Sequence, residues 1–250
     1  MIRLFNIKNR IKCSFFNLGK FLINRLNLVF GLLLFFTSLI FYEFPNLDLQ
    51  ISRLFYSDLD RFVFAENIFV YILFKSVPTL TILFAIILII IALRSYFYKK
   101  DFKRASLSVA LIISLVIGPG ITVNSILKDN FGRARPKQIT EFGGQKNFSK
   151  VFVMTDQCKK NCSFSSGHAA AAFSFSSVAF IVSPQYQLIY YISGIVFGFI
   201  VGVGRIIQGG HFASDVLVSA SIVLLINYFI ILIYLKIFKS TPVRPQNHKV

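Results

Sequence analysis

The sequence predicts an all-α fold, a six-span transmembrane helical bundle, and three observations predict it. The 250 residues are 55% hydrophobic with 30 Phe, more apolar material than a soluble domain of this length normally buries. Six stretches approach the roughly 20 mainly apolar residues that a bilayer crossing needs: 26–42, 68–93, 105–127, 166–183, 188–204 and 215–235. The charged residues sort to alternate ends of these stretches.

That sorting sets the orientation. Arg3, Lys8, Arg10, Lys12, Lys20 and Arg25 precede the first span, Arg94, Lys99, Lys100, Lys103 and Arg104 fill the second-to-third loop, and Lys236, Lys239, Arg244 and Lys249 follow the sixth. Fifteen of the 27 basic residues thus share one side, and the positive-inside rule puts both termini in the cytoplasm. Nine of the ten acidic residues fall on the other side, and Asp101 is the exception. A net charge of +17 gathered in one patch would suit nucleic acid; divided this way it is a topology signal, and the partner is the bilayer. The expectation is a multi-pass protein of the bacterial inner membrane: a basic arm (1–25), a six-span domain (26–237) with its large outer loop at 128–165, and a cytoplasmic tail (238–250).

Each element has its own signature. The first span follows a long basic region and lacks a convincing small-residue cleavage site after Phe41, so it reads as an uncleaved signal anchor. In the second, Lys75 and Pro78 lie near the outer end, which puts the first turns at the interface. In the third, Gly118-Pro119-Gly120 is expected to bend the helix near mid-span. The fourth opens with Ala169–Ala172 and continues through Ser174, Ser176 and Ser177, a small-residue surface. The fifth carries Gly194, Gly198 and Gly202 at four-residue intervals, a stripe that lets that surface approach closely.

Of the three cysteines, Cys13 is cytoplasmic while Cys158 and Cys162 share the outer loop. There the pair is either bridged, as an oxidising compartment permits, or two free thiols.

Polar groups gather at the outer ends of spans three to six. Lys128, Arg133 and Arg135 follow the third, Ser165, Ser166, Gly167 and His168 open the fourth, Arg205 follows the fifth, and His211 and Asp215 introduce the sixth. A single histidine or arginine at a span end is usually a cap or an anchor; the joint occurrence at one depth is what points to chemistry. Lys128, Arg135 and Arg205 supply cations suited to phosphate oxygens, and Ser166 and Gly167 lie at a helix start, where free amides favour an anion. His211 and Asp215 are four residues apart, a spacing at which a carboxylate can hold an imidazole tautomer, and His168 from another helix can protonate a leaving oxygen. Phosphoryl transfer without a metal or other cofactor is the chemistry these parts allow.

The same residues resemble a family. Lys128, six residues, Arg135-Pro136; Ser165-Ser166-Gly167-His168; Gly204-Arg205, five residues, His211, three residues, Asp215: this is similar in order and spacing to the three-part signature of the type 2 phosphatidic acid phosphatase superfamily. The resemblance implies that His211 forms a phosphohistidine, that Asp215 orients it, that His168 protonates the leaving group, and that Lys128, Arg135, Ser166, Gly167 and Arg205 cradle the phosphate of a membrane lipid at the outer membrane-water interface. Two positions depart from the pattern, Ser165 where Pro is common and Gly204 where Ser is common, and the second leaves one phosphate contact open.

The run from Arg135-Pro136-Lys137 through Gly143-Gly144 to Cys158 and Cys162 is similar to the lipid A phosphatase branch. Additional outer-loop cations, Arg133, Lys137, Lys146, Lys150, Lys159 and Lys160, would suit a head group with more than one phosphate or simply an anionic surface. Undecaprenyl diphosphate and phosphatidylglycerol phosphate are the alternative substrates. A transporter would place ionisable groups at mid-membrane, where this chain offers only the Gly118–Gly120 break.

Overall fold

The computed structural model of the chain describes residues 2–57 and 61–239, with side chains for 18–57 and 61–238. Arg244, His248 and Lys249 of the expected tail lie outside the described residues, as do the side chains of Arg3, Lys8, Arg10, Lys12, Cys13 and Lys239.

Helices dominate. They are α1 (Ile2–Glu43), α2 (Asn46–Arg53), α3 (Ile68–Leu93), α4 (Phe102–Leu115), α5 (Lys128–Asn130), α6 (Gly167–Phe173), α7 (Gln187–Ile207) and α8 (Ala213–Lys239). Among the described residues the one sheet is a two-stranded antiparallel hairpin, β1 (Tyr56–Ser57) and β2 (Arg61–Phe62). Five stretches are long and apolar enough to cross a bilayer: Leu18–Glu43, Ile68–Tyr98, Phe102–Asn130, Pro184–Ile207 and Ala213–Phe238.

The expected span at 166–183 takes a different form. Its α-helical part, α6, is seven residues long, and the chain then tightens into a 3-10 segment, Ser174–Phe180. The serines account for the tightening. Ser174 Oγ donates to the Ala170 carbonyl at 3.0 Å, Ser176 Oγ to Phe173 at 2.8 Å and Ser177 Oγ to Ser174 at 2.7 Å, drawing on carbonyls that an α-helix would use.

The glycine stripe of α7 receives this rod. A Cβ at Gly194 would fall 2.3 Å from the Ser176 nitrogen, and one at Gly198 2.3 Å from the Phe173 ring. Only glycine permits that approach.

At Gly118-Pro119-Gly120, where a bend is expected, the chain winds in wide π-type turns over Val116–Leu127, linking α4 to α5. Pro119 has no N–H to continue the α ladder, and Asn124 Nδ2 donates to its carbonyl at 2.7 Å. The span therefore continues through the proline, and α5 delivers Lys128 at the span's C-terminal end.

Two apolar cores stack along the bundle. One, nearer the site, gathers Val123, Phe164, Phe173, Val216 and Leu224; the other gathers Ile23, Leu88, Leu111, Phe180 and Ile231. A third, small aromatic core of Phe62, Phe142 and Phe212 lies beneath the 128–165 loop and seats the turns that carry the site.

Candidate active site

Every residue expected in the site lies at one end of the bundle, and aromatic contacts help to hold them. Phe74 of α3 packs at a tilt against His168, ring centroids 4.3 Å apart, and its ring also lies 4.4 Å from the Arg205 guanidinium carbon. One side chain from α3 thereby braces one residue of α6 and one of α7. Arg205 also donates to Gln208 through Nη1, and its plane runs over Gly210, where a Cβ would fall 2.4 Å from Nη2. Its own carbonyl accepts from the Gly210 amide at 2.9 Å and the His211 amide at 3.3 Å, tying the turn that presents His211 to the end of α7.

His211 is 1% exposed and sits in that turn, two residues before α8 begins. The i,i+4 helical spacing to Asp215 is therefore not what relates them. His211 Nδ1 lies 2.7 Å from the Ser163 carbonyl, which can only accept, so Nδ1 carries the proton and Nε2 the lone pair. The nearest Asp215 oxygen is 3.8 Å from Nδ1, an electrostatic contact beyond hydrogen-bond range. Burial, the largest influence, pushes the ring down to about 3, against the raising pull of Asp215.

Asp215 is occupied elsewhere. Its Oδ2 accepts from Ser163 Oγ at 2.6 Å and from the Phe212 amide at 2.9 Å, and its Oδ1 accepts from Arg133 Nη1 at 2.6 Å. Arg133, grouped by sequence with the head-group cations, is 1% exposed and does not face solvent. Its fork is taken by Asp215, by Asp48 at 2.9 Å, by Ser214 Oγ at 2.9 Å and by the Ser149 carbonyl at 2.9 Å, while Phe212 lies 4.3 Å from the guanidinium carbon. With four of its five N–H donors taken and its charge desolvated between two carboxylates, this guanidinium is built into the protein rather than turned to a ligand.

Asp48 in α2 completes the cluster. It accepts from the Ser214 amide at 3.0 Å, from Ser214 Oγ at 2.5 Å and from Arg133. Burial raises its carboxyl and the Asp215 charge adds to this, opposed by the Arg133 charge and the Ser214 donors. With three donors aimed at two oxygens, the carboxylate is the form that satisfies them all.

Arg135 is half-buried and turned toward the disulfide loop: Nη2 donates to the Asn161 carbonyl at 2.8 Å and to its Oδ1 at 2.9 Å. Cys158 and Cys162 are joined, closing a tight loop around Asn161, whose φ is +53°. Lys137 follows Arg135-Pro136 into a 3-10 turn, its amide bonded to the Gly209 carbonyl at 3.1 Å. Burial, then the nearby Arg135 and Arg205 charges, lower its ammonium below the usual lysine range.

Ser166 caps α6, its Oγ accepting from the Ala169 amide at 3.4 Å, and its own amide donates to the Asp215 carbonyl at 3.4 Å. Gly167 is required by Asn124: a Cβ there would fall 2.2 Å from Oδ1. Lys128, Gly167 and His168 form the polar end of a cavity of about 310 Å³ that continues along Asn124, Pro78 and Ile82 between α3 and the 116–127 turns. At Gly204 a Cβ would meet Leu73 and Val70 at 3.4 and 3.8 Å, so this departure from the usual serine faces α3.

Three residues of the site gave no motif signal: Ser163, Asp48 and Phe74. Asp48 carries the one hint, an acid in a short helix with a buried face. Among the described residues no group of three His, Cys, Asp or Glu is arranged to hold a metal. Lys128, Arg135 and Arg205 make no ion pair among the described residues, and the buried Arg205 Nε has no hydrogen-bond partner there.

Three cations with no counter-ion among the described residues and two histidines, at one end of helices long enough to cross a bilayer, define a class: this is a membrane lipid phosphatase. The chain belongs to the PAP2 superfamily, whose profile matches residues 104–239. It is 37% identical over 198 residues to a lipid A 4'-phosphatase of Francisella tularensis subsp. novicida, covering 77% of this chain and 88% of that one. To a lipid A 4'-phosphatase of Rhizobium etli it is 31% identical over 217 residues, covering 78% and 84%. To phosphatidylglycerophosphatase B of Bacillus subtilis it is 26% identical over 152 residues, covering 58% and 64%. No solved structure matches the chain.

Proposed function

We propose that the protein removes a phosphate from the sugar head group of lipid A at the outer face of the bacterial inner membrane. The observation that carries the phosphate reading is the trio Lys128, Arg135 and Arg205, which have no counter-ion among the described residues and lie beside two histidines. A dianionic phosphomonoester supplies the missing charge. The lipid A assignment draws on the two relatives of that name, which align over most of both chains.

The reaction follows from the tautomer. With Nδ1 committed to Ser163, the His211 Nε2 lone pair attacks phosphorus, and an N–P bond forms as the P–O bond to the sugar breaks. The bound phosphate dianion favours the imidazolium of His168, which gives its proton to the leaving oxygen. Water then displaces the phosphoryl group from His211 and returns a proton to His168. The cations and the amides at the start of α6 stabilise the equatorial oxygens, and no step calls for a metal.

Six passes support an outward site. The site gathers the start of α6 and the end of α7, so 167–180 runs from the site end back into the bundle, antiparallel to α7. At about 1.5 Å per α residue and 2.0 Å per 3-10 residue the rod is roughly 25 Å long, close to the hydrocarbon thickness. An even number of passes keeps the basic arm, the 94–104 loop and the tail on the cytoplasmic side.

The deciding experiment is mass spectrometry of lipid A incubated with the purified protein in detergent and excess chelator. Loss of one phosphate per molecule is expected. Unchanged lipid A alongside hydrolysis of phosphatidylglycerol phosphate or undecaprenyl diphosphate would overturn the assignment.

A further inference from the structure

We infer that Asp48 and Arg133, neither of them a named motif position although Arg133 falls between Lys128 and Arg135, are positioning residues for phosphoryl transfer: they fix the orientation and the net charge of Asp215 beside His211. The inference rests on the reading of His211 as nucleophile.

The orientation is set by a chain of short contacts with no slack. The amide and hydroxyl of Ser214 bind Asp48, which binds Arg133 at 2.9 Å, which binds Asp215 at 2.6 Å. Asp215 in turn accepts from Ser163 Oγ, and the carbonyl of the same Ser163 holds His211. The Ser163 amide donates to the Arg133 carbonyl at 2.8 Å, closing the ring. Arg133 itself cannot swing, because the Ser149 carbonyl takes Nε and Phe212 covers its face. Asp48, Arg133, His211 and Asp215 are each at most 1% exposed, so water does not compete for these bonds.

The charge follows from counting. When Nε2 bonds to phosphorus, the imidazole becomes a phosphoimidazolium with one positive charge. Asp215 is the anion beside it, yet Arg133 alone would neutralise that anion. Asp48 on the far side of the guanidinium leaves the buried trio Asp48, Arg133 and Asp215 with a net charge of −1, which favours the cationic ring. The other charged groups at the ring, Arg135 and Arg205, oppose it, so the carboxylates decide the sign.

The test uses the full chain in detergent micelles with lipid A as substrate. Asp48→Asn keeps the shape and removes the charge: kcat should fall about 10- to 100-fold while KM stays within about two-fold. Vanadate, which adopts the five-coordinate geometry of the transition state at a histidine nitrogen, should inhibit more weakly by a similar factor. Competition by inorganic phosphate, which reads only the cations, should not change. Ser214→Ala preserves every charge and should lose about three- to ten-fold in the same pattern; it carries the test alone if Asp48→Asn does not fold. Unchanged kcat, or vanadate and phosphate affinities falling together, would overturn the inference. Wild-type protein inactive on lipid A would instead count against the function proposed above.

Discussion

His211 Nδ1 lies 2.7 Å from the Ser163 carbonyl and 3.8 Å from the nearest oxygen of Asp215. The backbone ahead of the second motif orients the ring, and the carboxylate acts on it through charge. Two variants separate these roles. Asp215→Asn should leave substrate affinity near wild type and lower kcat by about 100-fold or more. Ser163→Ala removes the hydroxyl that binds Asp215 but keeps the carbonyl that binds His211, and should lower kcat about ten-fold at most. Steady-state kinetics of the pair check the order; the reverse order would make the hydroxyl, not the charge, the main support.

The two histidines should respond differently to the leaving group. His211→Ala should abolish turnover of any phosphomonoester and leave no acid-labile phosphate on the quenched protein. His168→Ala should still cleave p-nitrophenyl phosphate, whose phenolate leaves without a proton, while losing about 100-fold or more on a lipid alcohol ester. Rapid quench with labelled substrate measures both, and label on His211→Ala would remove it from the nucleophile's role.

Stability should fall as acid is added, and the sign comes from His211. Its folded pKa, about 3, is below the unfolded value of about 6.5. Between these two values the unfolded chain holds a proton that the folded protein does not, so folding weakens as pH drops through about 6.5 toward 3. His211→Asn lacks this penalty. Its melting temperature in detergent should therefore depend less on pH between 7 and 5 than that of the wild type, and parallel curves would argue that the ring is protonated when folded.

The disulfide loop should matter for binding more than for chemistry. The Cys158–Cys162 bridge closes the turn whose Asn161 carbonyl and side chain hold Arg135. Replacing both cysteines by serine should raise KM about three- to ten-fold through a less fixed Arg135 and change kcat by less than about two-fold. Asn161→Ala should copy the direction of the effect, since it removes one of the two anchors.

What the sequence discloses depends on how each contact is encoded. The apolar stretches and the spacing of Lys128, Arg135, His168, Arg205, His211 and Asp215 are local patterns, and the fold brings these residues to one end. The glycine stripe of α7 is equally local, and it meets the serine-rich rod as expected. Two kinds of feature are not local. Ser163 acts through its carbonyl, which every residue possesses, and Phe74 is one of 30 phenylalanines. Arg133 looks like another outer-loop cation until Asp48, 85 positions away, is seen to hold it. The segment expected as a fourth span departs in length and winding because three serines bind their own backbone, a choice between competing hydrogen bonds that hydropathy does not register.

The seating of Asp48 against Ser214 bears on how this protein can be cut and recombined. The PAP2 profile spans 104–239 and contains every motif residue, so it invites treatment as a portable unit. Yet the Ser214 amide and one arm of Arg133 are satisfied by a carboxylate from α2, and Phe74 from α3 braces His168 and Arg205. A chimera joined at residue 104 would strand a buried guanidinium and an amide unless its donor brought an equivalent acid. The smallest piece that carries this site to another scaffold begins ahead of Asp48, and a two-fragment version expressed from separate genes would have to reassemble across that seam to be active.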